Sequence, residues 1–286
     1  MKIIECPRDA WQGFPHFIPT EKKAAYLNQL LKVGFHTIDF GSFVSPKAMP
    51  QVSDTARLLD HLDLSGTDSR LLAIVANERG AMEACRFGQI QVLGYPFSIS
   101  ETFQLRNANA TVRQSFEKTR SIAALCTENG KELVIYISMG FGNPYGDFWN
   151  VAYTLDKIHE LAELGITKFS LADTIGIARE DDIHALFSQL IAAYPNLEFG
   201  AHFHSKPGNW RQKINAAYTA GCRRFDGVLL GYGGCPMAQD ELVGNIPTEH
   251  LIAFADEKKE LLKINSEALV NARELFLRLV SAYAQG

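Results

Sequence analysis

The sequence predicts a (β/α)8 barrel of the TIM type with an additional C-terminal helix. Three observations carry that prediction. Eight short apolar runs recur along the chain, and each feeds a loop and then a segment of helical periodicity. Helical crossovers force parallel pairing of the strands they join, and 286 residues suit eight such units closed into one barrel. The chemically equipped polar residues fall at the C-terminal ends of the runs, the face on which barrels of this type carry their sites. An open doubly wound sheet would ask for a glycine-rich phosphate loop after the first strand. Pro7-Arg8-Asp9-Ala10-Trp11-Gln12-Gly13 does not supply one.

Taken in order, residues 2–6 form the first strand, centred on Ile3-Ile4 and ended by Pro7-Arg8-Asp9. Thr20 opens a helix as a hydroxyl cap, with Lys23 where a capping box would place Glu. Tyr26, Leu27, Leu30 and Leu31 give it an apolar stripe, and Gly34 stops it. Strands follow at 37–40, 70–75, 90–98 and 133–138, with helices at 54–61, 78–87 and 111–129 between them. A helix at 151–164 is stopped by Gly165, and the sixth strand, 168–171, is closed by Ala172-Asp173-Thr174-Ile175-Gly176. After a helix at 181–193 come the seventh strand, 197–204, and a helix at 210–220 stopped by Gly221. The eighth strand, 225–230, leads into Gly231-Tyr232-Gly233-Gly234-Cys235, and helices from 248 and over 267–284 finish the chain. No linker composition divides it, so residues 1–286 read as one domain with 264–286 as a helical extension.

Composition narrows the function classes. Hydrophobic residues at 47% and charged residues at 21% suit a soluble globular protein, and no apolar stretch is long enough for a bilayer span. A net charge of -4 argues against a broad cationic face for nucleic acid, though a small basic patch for one anionic ligand stays open. The N-terminus begins in a strand without a signal segment. The five cysteines are scattered and contain no CxxC pair, so neither a disulfide scaffold nor a thiolate zinc site is expected. A reducing, cytoplasmic setting is the expectation.

The chemistry centres on Gly200-Ala201-His202-Phe203-His204. On a strand, His202 and His204 point to one face, and neutral imidazoles are common ligands of divalent metals. Arg8 and Asp9 after strand one, Asp39 and Ser42 at strand two, Asp173 and Thr174 after strand six, and Cys235 and Asn245 beyond strand eight would face the same mouth. A carboxylate, two imidazoles and an amide oxygen suit Mg²⁺, Mn²⁺ or another divalent ion. Plainer readings stand beside these: two surface histidines, a local Arg8–Asp9 ion pair, Asp173 capping a turn, Cys235 as an inert small residue, and Asn245 as turn material. His16, His36, His61, His159, His184 and His250 miss the strand ends and receive no role.

Pro7-Arg8-Asp9, Ser42-Phe43-Val44-Ser45-Pro46-Lys47, Asp173-Thr174-Ile175-Gly176, His202-Phe203-His204 and Gly233-Gly234-Cys235-Pro236-Met237-Ala238-Gln239 stand in one order, followed by Gly244-Asn245 and Thr248-Glu249. Together they resemble the 3-hydroxy-3-methylglutaryl-CoA lyase family, the retro-aldol branch of the metal-dependent barrels that include isopropylmalate synthase and pyruvate carboxylase-type domains. The resemblance runs from about residue 3 to about residue 255. It implies cleavage of hydroxymethylglutaryl-CoA to acetyl-CoA and acetoacetate, with Mg²⁺ or Mn²⁺, or else Zn²⁺, held by Asp9, His202, His204 and Asn245. It further implies Arg8 at the enolate oxygen, Cys235 in proton transfer to the acetyl-CoA carbanion, Asp173 at the tertiary hydroxyl, and Gln12 and Asp39 close by. Lys47 is a candidate for CoA or a substrate carboxylate, with Arg79 and Lys206 behind it. A homo-oligomer, dimer or higher, is also implied. The remaining alternatives are a related lyase or Claisen-type synthase on another hydroxy or 2-oxo acid, and a non-catalytic barrel used for binding. The Gly233-Gly234-Cys235 loop favours the lyase branch.

Several positions depart from the family pattern. Ala10-Trp11 replaces glycine and leucine, which puts bulk near the first loop. Asp39 replaces a glutamate one methylene longer. The first-strand glutamate falls on Ile4, and Glu5 would take its place only through a one-residue slip to the other face. Ser205-Lys206-Pro207-Gly208-Asn209 replaces Asp-Thr-Tyr-Gly-Gln, Phe203 replaces a cysteine between the histidines, and Gly140-Phe141-Gly142-Asn143 replaces a cysteine-containing loop.

Overall fold

A computed structural model describes residues 1–234 and 243–285. Eight strands pair in parallel and close on themselves: β1 (Lys2–Glu5), β2 (Thr37–Ser42), β3 (Arg70–Ile74), β4 (Ile90–Ser98), β5 (Glu132–Ser138), β6 (Lys168–Asp173), β7 (Glu198–Ser205) and β8 (Arg224–Gly227). They are neighbours in sequence order, and β8 returns to β1 with Ile4 opposite Asp226. The expected (β/α)8 barrel is therefore the observed one, with strand ends shifted by a few residues.

Helices cover the outer face: α1 (Pro7–Trp11), α2 (Thr20–Leu31), α3 (Thr55–Leu59), α4 (Glu78–Cys85), α5 (Glu101–Ala108), α6 (Val112–Glu128), α7 (Val151–Ala162), α8 (Glu180–Ala193), α9 (Trp210–Thr219), α10 (Thr248–Glu257) and α11 (Ser266–Tyr283). Leu71, Phe169, Phe203 and Phe225 leave their strands toward this layer and are fully buried in it. Each is worth about 1.5–3 kcal/mol of burial. The alternate residues Leu72, Val92, Val134 and Tyr136 form a separate cluster with Ile74. Period-two alternation makes that cluster the filling of the barrel.

The floor of the barrel is ionic. Arg70 and Lys168 reach Glu132 at 2.6 and 2.7 Å, and Glu198 gathers Lys2, Lys168 and Arg224. The residues of the N-terminal rim thus close that end with paired charge, and the open chemistry is left to the other end.

Three local expectations change. Thr20 is not a cap: Pro19 holds that position, and the Thr20 hydroxyl donates to Asp54 at 2.8 Å. Lys23, expected on a cap turn, is buried and donates to Asp54 at 2.7 Å. The segment read as a loop at 7–9 is α1, with Pro7 at its first turn, where a missing N–H costs nothing. The C-terminal helix α11 packs on α2, with Tyr26 and Phe276 stacked at 5.2 Å. Gly34 makes the junction: its φ is +92°, and a Cβ there would stand 2.4 Å from the Lys263 carbonyl oxygen.

Candidate metal centre

The end of β1 turns directly into α1, and this tight turn buries both Arg8 and Asp9 above the barrel mouth. Arg8 Nε donates to Asp39 Oδ1 and Oδ2 at 3.2 and 3.1 Å, and Nη2 donates to Asp39 as well. Arg8 Nη1 donates to Asp9 Oδ1 at 3.1 Å and to Gln12 Oε1 at 2.8 Å. The Gln12 amide donates to Asp9 Oδ1 at 2.6 Å. The shorter Asp39 side chain is therefore long enough for a forked contact with the guanidinium, the geometry that makes arginine specific for carboxylates.

His202 and His204 leave β7 on the lumen side. His204 Nδ1 lies 2.8 Å from the Thr174 carbonyl oxygen, which as an acceptor fixes the ring proton on Nδ1. Its Nε2 is buried and has no hydrogen-bond partner among the described residues. His202 Nδ1 lies 3.1 Å from Asp226 Oδ2, and Tyr136 meets the same ring edge-on at 5.6 Å. Asn245 arrives from a short strand, β9 (Gly244–Asn245), which runs antiparallel to β7 and sets Asn245 opposite His204. Its amide nitrogen donates to Asp9 Oδ2 at 2.7 Å and to the Tyr232 carbonyl at 3.0 Å.

Asp9, His202 and His204 each offer a ligand atom, and these atoms lie within 4.8 Å of one another. Burial opposes ionisation of Asp9, but the Arg8 guanidinium, aided by the Asn245 hydrogen bond, holds its carboxyl below the usual carboxylate range. Burial, and then His202, keep the His204 imidazole below its ordinary value and so neutral. An ionised carboxylate beside a neutral imidazole with an orphaned buried lone pair is a donor set that fits a divalent cation. Asn245 Oδ1 is the atom that would complete it.

Other expected residues land differently. Asp173 ends β6 with its side chain toward the helix layer. Its oxygens accept from Ile177 N at 2.9 Å, Ala178 N at 3.1 Å and the buried Lys213 ammonium. It is not brought into the Asp9–His202–His204 group, and it anchors the turn that carries Thr174. Trp11 is buried edge-on against Tyr26 at 6.1 Å, so its bulk stays in the helix layer and out of the mouth. Glu5 faces away from Ile4, accepting from Leu229 N at 2.9 Å and from the Thr248 hydroxyl, and does not replace a lumen glutamate. Lys47 is exposed on the turn after β2. Cys235 lies outside the described residues. The chain approaching it is pressed close to the centre: a Cβ on Gly233, at φ +80°, would stand 2.5 Å from the Asp9 carbonyl oxygen.

Sequence reasoning missed Asp226, Lys213 and Cys6. Cys6 sits at a strand end, the signal that selected the others, whereas Asp226 fell at the start of the expected 225–230 strand and nears an end only because β8 stops at Gly227. Lys213 gave no signal, since a lysine on a helix reads as solvated surface. Among the described residues a second group, Cys6, His202 and Asp226, also places its ligand atoms within 4.8 Å of one another.

The chain is 30% identical over 253 residues to the hydroxymethylglutaryl-CoA lyase of Pseudomonas mevalonii, covering 88% of this chain and 83% of that protein. It is 29% identical over 266 residues to hydroxymethylglutaryl-CoA lyase YngG of Bacillus subtilis, covering 93% and 88%. Its fold superposes on an HMG-CoA lyase from Acinetobacter baumannii, solved with coenzyme A and 3-methylmalate, with a TM-score of 0.90 at 30% identity, covering 98% of this chain and 91% of that one. The sequence profile of the family described as HMGL-like matches residues 2–276, and the chain belongs to that family.

Proposed function

We propose that this protein is a divalent-metal-dependent carbon–carbon lyase that cleaves 3-hydroxy-3-methylglutaryl-CoA to acetyl-CoA and acetoacetate. The observation that carries the reading is the convergence of Asp9, His202 and His204 at the C-terminal mouth with the Arg8 guanidinium beside them. Membership of the HMGL-like family and the coenzyme A in the A. baumannii structure support the substrate class.

Asp9, His202, His204 and Asn245 would hold the ion, with Mg²⁺ or Mn²⁺ preferred over Zn²⁺ for a set that includes carboxylate and amide oxygens. Such an ion supplies Lewis acidity, lowering the pKa of a tertiary hydroxyl and orienting it. The chain's own residues do the rest. A guanidinium has five N–H donors. Four of Arg8's are taken by Asp39, Asp9 and Gln12. Among the described residues one Nη2–H is left, free for the thioester oxygen on which enolate charge develops, where a fixed donor is worth most. Asp39 holds the guanidinium plane and Gln12 ties Arg8 to Asp9, so the charge and the ligand keep a fixed separation. Asp173 acts from behind, as the anchor of the turn whose Thr174 carbonyl orients His204. Cys235 is the proton donor to the acetyl-CoA carbanion in this reading, and Lys47 the cation for CoA or a substrate carboxylate.

The test is acetoacetate formation from hydroxymethylglutaryl-CoA with Mg²⁺ or Mn²⁺. Metal-dependent product that disappears in Asp9→Ala and His202→Ala supports the reading. Tight metal binding without turnover on any acyl-CoA supports a binding barrel, and turnover only on another hydroxy or 2-oxo acid supports a different branch.

A further inference from the structure

The Cys6 thiol takes no part in this chemistry, yet it lies directly beneath it. We propose that Cys6, His202 and Asp226 form a second metal site, selective for soft divalent ions such as Zn²⁺ or Cd²⁺, and that filling it excludes the Mg²⁺ or Mn²⁺ of the site above.

The three ligand atoms lie within 4.8 Å of one another inside the barrel. His202 Nδ1 and Asp226 Oδ2 are 3.1 Å apart, close to the spacing of two donors that each stand about 2.0–2.2 Å from one tetrahedral ion. Bonding capacity there is unused. Among the described residues Asp226 Oδ1 is buried with no hydrogen-bond partner, and the Cys6 thiol makes only a 3.7 Å contact to the Ile4 carbonyl. The donor types separate the two sites: thiolate selects soft ions, whereas Asp9 and Asn245 offer hard oxygen.

Arg224 opposes a cation here, since its guanidinium stands 3.6 Å from Asp226 Oδ1. Burial holds Cys6 as a neutral thiol until metal arrives, so the charge that outweighs Arg224, thiolate plus Asp226 carboxylate, is complete only once the ion is bound. The Cys6 proton leaves to solvent as the sulfur–metal bond forms.

Exclusion follows from His202. A neutral imidazole has one free lone pair. With the proton on Nδ1, facing Asp226, the lone pair serves the upper site; with the proton on Nε2, it serves the lower one. One ring does not serve both.

The experiment uses the metal-stripped full chain titrated with Cd²⁺, followed by the ultraviolet thiolate-to-cadmium charge-transfer band and by paramagnetic resonance of bound Mn²⁺. The band is expected to saturate at one Cd²⁺ per chain, to persist in Cys235→Ala and to vanish in Cys6→Ala, while Cd²⁺ displaces Mn²⁺ from the parent protein. Displacement in Cys6→Ala should need more than ~100-fold higher Cd²⁺, beyond the loss typical of an outer-shell partner. Cys6→Ser, closer in volume, serves if the alanine variant does not fold. A band that survives both Cys6 variants, a band lost in Cys235→Ala, or Mn²⁺ that stays bound beside Cd²⁺ overturns the proposal. No substrate is present, so the outcome is independent of the cleavage reading.

Discussion

Replacing Arg8 with lysine separates its charge from its geometry. The guanidinium reaches three side chains at once: Asp39 through Nε and Nη2, and Asp9 and Gln12 through Nη1. Among the described residues that leaves one N–H unclaimed, the one the proposed reaction uses. A lysine ammonium has three donors and no fork. Asp39 and Asp9 consume them, so the buried carboxylates stay compensated while the donor for the enolate oxygen is lost. Loss of one such donor costs about 3–4 kcal/mol of transition-state stabilisation, or roughly 10²–10³ in kcat. Arg8→Lys should therefore fold, bind Mn²⁺ with an affinity close to the parent's, and turn over hundreds of times more slowly with little change in KM. Steady-state acetoacetate release and Mn²⁺ titration measure both halves. Arg8→Met differs, because it leaves buried Asp39 without its counter-charge and beside the carboxylates of Asp9 and Asp226, and it should lose about 3–5 kcal/mol of stability. Parent-like kcat in Arg8→Lys would refute the argument that the fork leaves a working donor.

Two further outcomes follow from buried charge. Burial pushes Glu5 up to about 8, against the hydrogen bonds from Thr248 and Leu229. Between about pH 4.5 and 8 the folded chain keeps a proton that the unfolded chain has lost, so the Glu5 contribution to stability falls by a few kcal/mol as pH rises through that window. Glu5→Gln should flatten this slope, matching the parent near pH 5 more closely than at pH 9, where the variant gains; urea unfolding at the two pH values reads it, and an equal offset at both contradicts it. Lys213 is buried against Asp173 and also donates to the Gly176 and His204 carbonyls at 2.8 and 3.0 Å. Lys213→Met should cost about 3–5 kcal/mol, lowering Tm by roughly 10 °C, and a shift under 2 °C would show that the pair holds nothing.

The barrel and most of its elements could be read in advance because the signals are local. Gly34, Gly165 and Gly221 stop helices where expected, each with a positive φ. The paired histidines on β7 follow from strand alternation alone. Contacts between distant segments left no such mark. Asn245 reaches the centre through a two-residue strand, too short for any periodicity. The α1 helix has five residues, and its one signal, Pro7 at the first turn, also reads as a loop. Asp173 shares the strand-end position of true mouth residues, but one pleat turns it toward Lys213 instead. Residues on neighbouring pleats point oppositely, and which pleat a strand's last residue occupies depends on where the strand stops. The same rule explains Glu5, which one pleat beyond Ile4 belongs to the outer face, as the sequence register implied.

The most direct measurement is anomalous diffraction at the manganese edge from crystals of the full chain soaked in Mn²⁺. One strong peak bonded to Asp9, His202 Nε2, His204 Nε2 and Asn245 Oδ1 is the predicted result. A peak away from these four atoms, or none in the barrel mouth under saturating Mn²⁺, would contradict the account.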